Sequence, residues 1–190
     1  MYELIVLSLL MRQPTTGYLI AQIINDIIGP FARASNGRIY PLLAALVKQK
    51  FIAPQRAVAA ERGGRHTQAY AITERGRARF RELMLDTRSN AREYRELFSF
   101  KVTAFDLLGP EEREALIDHY AEFCRAHIAH IRHEADDLAR NAERLGQSAE
   151  QRALFASTFA HLASLRENEL AWCDELRALA AKHAKRRARK

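Results

Sequence analysis

Between positions 35 and 40 the chain sets Ser35, Asn36, Gly37, Arg38 and Tyr40 almost side by side. A hydroxyl, an amide, a guanidinium and a phenol at that spacing suit recognition by hydrogen bonds rather than bond-making chemistry. A guanidinium can bond guanine bidentately, and an amide can bond adenine. The Tyr40 hydroxyl can reach a phosphate. Gly37 has no Cβ, so a helix opening there can approach a phosphate backbone closely. The free N–H groups and the dipole at a helix start attract an anion. Arg62 and Arg65 flank Gly63-Gly64 and add two more guanidinium groups on a short connection. Taken singly, each is what any solvated helix or loop carries, so the elements around them decide.

Chemistry of other kinds finds little support. The chain has no nucleophile elbow, P-loop, dinucleotide fingerprint or paired metal motif, so neither an enzyme nor a cofactor is expected. His127, His130 and Glu134 fall at i, i+3 and i+7 on one helical stripe. No cysteine or carboxylate cluster completes a shell around them, and no metal site is expected. Cys124 and Cys173 lie in apolar-periodic segments without a CxxC pattern, which predicts reduced, buried thiols.

The elements follow from periodicity. Residues 2–11 read as a short, largely buried helix, and Pro14 stops it. Thr15 or Thr16 can cap a second helix with apolar positions Leu19, Ile20, Ile23, Ile24 and Ile27, which Gly29-Pro30 ends. Ser35 is the cap candidate for a third helix. It carries Pro41, which removes a donor and disfavours helix at Tyr40. The helix therefore starts strained at Ser35, the preferred reading, or regularly only near Pro41. Two short runs around Gly63-Gly64 predict a two-stranded hairpin, with Pro54 confining the first strand to an edge or bulge. Thr73 caps a fourth helix from Glu74. Helix, helix, helix, strand, strand, helix is the layout of a winged helix-turn-helix.

Charge divides the chain the same way. Residues 1–85 hold twelve Lys/Arg against five Asp/Glu, residues 86–181 twelve against eighteen, and 182–190 six basic residues and no acid, within a total of +7. A basic first half beside an acidic second half predicts that one part meets a polyanion. Residues 4–11 are too short an apolar run to span a bilayer, and with no export signal the cytoplasm is expected.

From Pro110 to Leu145 nothing breaks a helix. The positions Ile117, Ala121, Cys124, Ile128, Ile131, Ala135, Leu138, Ala142 and Leu145 make a heptad seam. A second long helix, capped by Ser148, repeats it at Phe155, Thr158, Leu162, Leu165, Glu169, Trp172, Leu176 and Leu179. One hairpin cannot bury both seams and their apolar flanks, so a second copy is the expected partner. Ile128, Ile131, Leu138, Leu162, Leu165, Leu176 and Leu179 are the dimerisation candidates. The fold class is thus mainly α. Residues 1–88 form a winged helix-turn-helix, 89–181 an antiparallel helical dimerisation domain, and 182–190 a basic tail without order.

Gly17-Tyr18, then Ser35-x-Gly37-x-Ile39-Tyr40-Pro41-Leu42-Leu43, a glycine-bearing wing, and Tyr70-x-Ile72-Thr73-Glu74-x-Gly76 together resemble the PadR family of bacterial transcriptional regulators. The likeness covers roughly the first 85 residues, and the second half looks like the longer helical domain of one branch. Asn36 stands where the family usually has proline. The resemblance implies a homodimeric regulator, most simply a repressor, on a pseudo-palindromic operator in double-stranded DNA. Its DNA-binding residues would be Thr16, Tyr18, Ser35, Asn36, Gly37, Arg38, Tyr40, Arg62 and Arg65. It also implies release by a small aromatic effector near Tyr120, Phe155, Phe159 and Trp172. The alternative is a winged-helix protein-interaction module without sequence preference.

Overall fold

A computed structural model describes residues 1–29, 36–55, 68–88 and 93–188. The elements are α1 (Tyr2–Arg12), β1 (Thr15–Thr16), α2 (Gly17–Ile28), α3 (Asn36–Lys48), β2 (Ile52–Gln55), β3 (Ala69–Ile72), α4 (Glu74–Leu85), α5 (Tyr94–Val102), a 3-10 turn (Phe105–Leu107), α6 (Pro110–Arg140) and α7 (Ala149–Ala188). They fall into two units, Met1–Leu107 and Leu108–Lys190.

In the first unit α1 is buried nearly all round, with Leu4, Ile5, Val6, Leu7 and Leu10 at most 2% exposed. It is the centre post of the core. Ile20 and Ile24 of α2, Ile39, Leu43 and Leu46 of α3, and Phe80 and Met84 of α4 complete that core. Thr16 caps α2 by accepting the Leu19 N–H at 3.3 Å. Gly29 ends it at φ 86°, a left-handed value that suits glycine.

The hairpin forms as expected, with Ile52 opposite Ile72 and Pro54 opposite Tyr70 on the edge strand β2. Its tip, 56–67, lies outside the described residues. The sheet has a third strand that the sequence did not reveal. β1 pairs antiparallel with β3 through Thr15–Tyr70 and Thr16–Ala69, giving the order β1-β3-β2.

The end of α3 and the start of α4 are built on the backbone of one residue, Phe51. Lys50 turns to φ 60°. The Lys50 N–H then bonds the Val47 carbonyl and the Phe51 N–H bonds the Leu46 carbonyl, each at 2.9 Å, the pattern of a Schellman cap. The Phe51 carbonyl accepts the Thr73 N–H at 3.1 Å. Thr73 in turn caps α4 by accepting the Gly76 N–H at 3.0 Å. A Cβ on Gly76 would stand 2.0 Å from the Phe51 oxygen, so only glycine fits there.

The unit continues beyond the boundary drawn at residue 88 and takes in α5. Tyr94, Leu97, Phe98 and Ala104 are buried, and so is Lys101, at 0% exposure. Lys101 Nζ donates to the Asp86 carbonyl at the end of α4, at 2.5 Å. A helix C-terminus is where an ammonium group is favoured. Burial nonetheless pulls Lys101 from the ordinary 10.5 down to about 8, against the opposing pull of Asp86.

In the second unit α6 opens on Pro110, and Glu112 reaches back to the Gly109 N–H at 2.8 Å. Ser148 and Gln151 cap α7 reciprocally. The two helices pair antiparallel, since Arg177 meets Glu114 and Asp118 while Arg132 meets Glu167. The expected disordered tail is a correction. α7 runs on as helix through Ala188, through a segment that, His183 apart, is alanine, lysine and arginine, all good helix formers.

Gly76→Ala should destabilise the first unit by about 3 kcal/mol through overpacking, read by chemical denaturation. Lys101 supplies a second test. With its pKa depressed on folding, the unfolded chain binds more protons between pH 8 and 10.5, so stability should rise with pH across that window. Denaturation midpoints of Lys101→Met should lack this rise relative to the parent chain.

Candidate nucleic-acid interface

The helical rise sorts the residues of α3 onto two faces. Ile39, Leu43 and Leu46 face the core, at 0%, 0% and 1% exposure. Gly37, Pro41, Ala44 and Lys48, at gaps of four, three and four, form the exposed stripe opposite, flanked by Arg38 and Ala45 on one side and Tyr40 on the other. The stripe is nearly bare of side chain until Lys48, so a partner can approach the backbone closely. α3 starts at Asn36 with Pro41 inside it, the earlier of the two starts the sequence allowed. Pro41 cannot donate to the Gly37 carbonyl. The first N–H groups of the helix likewise have no acceptor within it.

Each flank is held. The Arg38 guanidinium lies 6.0 Å from the centre of the Tyr2 ring, a resting contact at the edge of the cation–π range. Such a contact at an exposed site is worth about 0.5–1 kcal/mol, less than the 1–3 kcal/mol of a bidentate base pairing, so it does not tie the side chain down. Tyr40 is 45% exposed and lies over Gly17, whose added Cβ would meet the Tyr40 ring at 3.2 Å and the Tyr70 ring at 3.4 Å. Gly17 thus makes room for two tyrosines. Burial, and then Tyr40, raise the Tyr70 hydroxyl above its ordinary range.

Of the other sequence candidates, Thr16 is half-buried and committed to capping α2, and Tyr18 is 66% exposed. Ser35, Arg62 and Arg65 lie outside the described residues, as does the side chain of Asn36.

The helical pair distributes its candidates differently from the heptad reading. On α7 the buried positions are Ala163, Cys173 and Leu176, while Phe155, Leu162, Leu165 and Leu179 are 37% to 52% exposed. The face that meets α6 is therefore rotated from the expected seam. Small side chains at 163 and 173 let the helices close there. Of the dimerisation set, Ile128 and Leu176 are buried within one copy, Ile131 and Leu138 are half-buried, and Leu162, Leu165 and Leu179 are left on the outside.

The four effector candidates do not converge. Phe155 and Trp172 sit seventeen residues apart on one unbroken helix, about 25 Å along its axis. Tyr120 is fully buried, and its hydroxyl donates to Glu169 Oε2 at 2.7 Å. Burial, and then Glu169, push its pKa far above the usual phenol value. Phe123 stacks on Tyr120 with ring centres 5.9 Å apart and lies 4.4 Å from the His127 ring. Phe123 and His127 thus form one row with Tyr120 on α6. Their i, i+3, i+7 spacing carried that signal, but heptad bookkeeping placed them outside the seam.

Cys124 and Cys173 are free, buried thiols, as expected. Burial raises both, Cys124 to about 11. Among the described residues no group of His, Cys, Asp and Glu is placed to hold a metal, and no helix is long and apolar enough to cross a membrane.

Residues 6–82 match the Transcriptional regulator PadR-like family. No curated protein matches the chain. Among solved structures the chain is similar to Bacillus subtilis PadR in complex with operator DNA, at 18% identity and TM-score 0.41 over 93% of this chain and 96% of that one. It is similar to the Vibrio cholerae virulence activator AphA, at 22% identity and TM-score 0.36 over 96% and 99%. Bacillus subtilis PadR in complex with p-coumaric acid gives 17% identity and TM-score 0.39 over 94% and 98%.

Proposed function

Taking as premise that the chain carries a PadR-like transcriptional-regulator domain at residues 6–82, we propose that it is a repressor that reads a pseudo-palindromic operator as a homodimer and is released by a small aromatic effector. The observation that carries this reading is the exposed stripe of α3, bare at Gly37, Pro41 and Ala44 and flanked by Arg38 and Tyr40. In this mechanism the amino end of α3 enters the major groove. Its free N–H groups and dipole hold a phosphate, and Arg38 leaves Tyr2 to bond a guanine edge. Tyr40 sets the register through a backbone contact. Arg62 and Arg65 follow the phosphates beside the groove. Two heads spaced by about one helical turn of DNA, roughly 34 Å, read the two half-sites.

The second copy is supported by Leu162 and Leu165, which stand exposed beside Phe155 on α7. The effector reading is supported by the aromatic row Tyr120, Phe123 and His127 on α6. An effector acts if it binds one arrangement of the paired chains better than the other.

Arg38→Ala should cost about 1–3 kcal/mol on operator DNA and much less on shuffled DNA, measured by fluorescence anisotropy. Equal losses on both would remove Arg38 as a base reader. A parent chain without sequence preference would assign the head to protein contacts instead. Leu162→Asp with Leu165→Asp changes side chains that one copy leaves exposed, so the variant should keep its helical circular dichroism yet sediment as a monomer. A folded dimer would move the pairing surface elsewhere.

A further inference from the structure

Charge changes sign abruptly at Lys182. Residues 86–181 hold twelve Lys/Arg against eighteen Asp/Glu, while 182–190 hold six Lys/Arg and no acid. The helix of α7 continues through Ala188, so Lys182, Lys185, Arg186 and Arg187 ride on regular helix rather than on loose chain. That helix outruns its partner. Arg177 meets Glu114 at 2.9 Å and Asp118 at 2.6 Å, level with the opening turns of α6. From Arg177, α7 runs on to Ala188, about 16 Å, whereas α6 extends only from Glu114 back to Pro110, about 6 Å. About 10 Å of α7 therefore overhangs the pair. Exposure agrees: Leu176 is the last buried position among the described residues, and Ala178, Leu179, Ala181 and Lys182 are exposed. The acids of α6 nearest that end have partners already. Glu112 receives the Gly109 N–H, and Glu114 receives Arg177.

The macrodipole favours cations in a last turn, but here they begin about two turns before the helix ends. Lys182 also has like charges three and four places on, at Lys185 and Arg186, a spacing that weakens a helix unless an anion offsets it. We infer that the overhanging end of α7 is a second nucleic-acid contact, which grips the phosphates of double-stranded DNA without reading sequence. A duplex presents about one negative charge per 1.7 Å of axis, a density that suits so close a run of cations. A lipid surface suits it less. Residues 181–190 hold only Ala, His, Lys and Arg, with no aromatic or large apolar side chain to enter a bilayer interface. The pair is antiparallel, so this end is also the one at which the chain arrives from the first unit. The contact goes beyond the operator reading, in which only the winged head touches DNA, and rests on that reading for its setting alone.

The full chain tests it by fluorescence anisotropy across a salt series. The probes are a duplex from upstream of its own gene and a shuffled duplex of the same composition. In one variant Lys182, Lys185, Arg186, Arg187, Arg189 and Lys190 are all changed to Gln, which forms helix about as well. It should weaken both duplexes by one common factor of about 10–100 at low salt. It should also lower the slope of log K against log salt by about 2–5, at about 0.9 per phosphate contact. Ending the chain after Ala181 should do the same, which covers any loss of helix in the Gln variant. Unchanged affinity and slope in both variants overturn the contact. So does a loss on the upstream duplex alone, which would mean that the segment acts through the head. A loss confined to the association rate means steering without contact and overturns it too. Vesicles of phosphatidylglycerol and phosphatidylcholine in equal parts give the remaining arm. Retention of the parent but not the variants on them, with DNA binding unchanged, assigns the segment to a membrane instead. A parent chain that binds both duplexes equally ends the operator reading, and the contact still stands if the variants weaken both.

Discussion

The first unit depends on the contact of the Gly76 backbone with the Phe51 carbonyl. That oxygen receives the Thr73 N–H and sits against Gly76 where a methyl group would stand 2.0 Å away, while the N–H of the same residue closes the turn that ends α3. The junction fixes where the third helix stops, where β2 starts and how α4 enters, all through backbone atoms. Because α3 is held from its carboxyl end, its amino end is free to carry residues that serve nothing inside the molecule. The left-handed Lys50 is the cost of that geometry. A non-glycine residue there is strained by about 1–2 kcal/mol, which the two cap hydrogen bonds offset.

The same division explains what the sequence could disclose. Elements set by local periodicity were legible: α1 and α2, the edge strand with Pro54, the Thr73 cap and the two long helices. Strand β1 was not, because two threonines have no period, and their pairing depends on Tyr70 and Ala69 more than fifty residues later. Helix α5 was missed for another reason. Tyr94, Leu97, Phe98 and Lys101 have helical spacing, but a lysine at a core position reads as solvent-facing, and only the end of α4 explains its burial. Gly17 was legible as a motif residue but not in its role, which is to admit the rings of Tyr40 and Tyr70. The site on α3 was legible in its polar residues, while the bare stripe between them needed the helix to be placed.

Polar contacts tie the second unit together beside its apolar seam. Arg177 spans Glu114 and Asp118 on α6 and Asp174 on its own helix, at 2.6 to 2.9 Å. These carboxylates hold its guanidinium well above its ordinary pKa. Tyr120 and Glu169 form a second tie one helical stretch away. A heptad count treats Glu169 as an interruption of the α7 seam. The tyrosine opposite turns it into a cross-link between the helices, which an apolar pattern alone does not disclose.

Lys101 has one more consequence. Amine-directed reagents modify lysines at rates set by access, and this ammonium is enclosed between the end of α4 and the body of α5. It can be acylated only when those two segments part, so its labelling half-life would time that local opening separately from unfolding of the whole. A side chain that serves as a brace in the folded chain is thereby also a built-in clock for the stretch that ends the first unit.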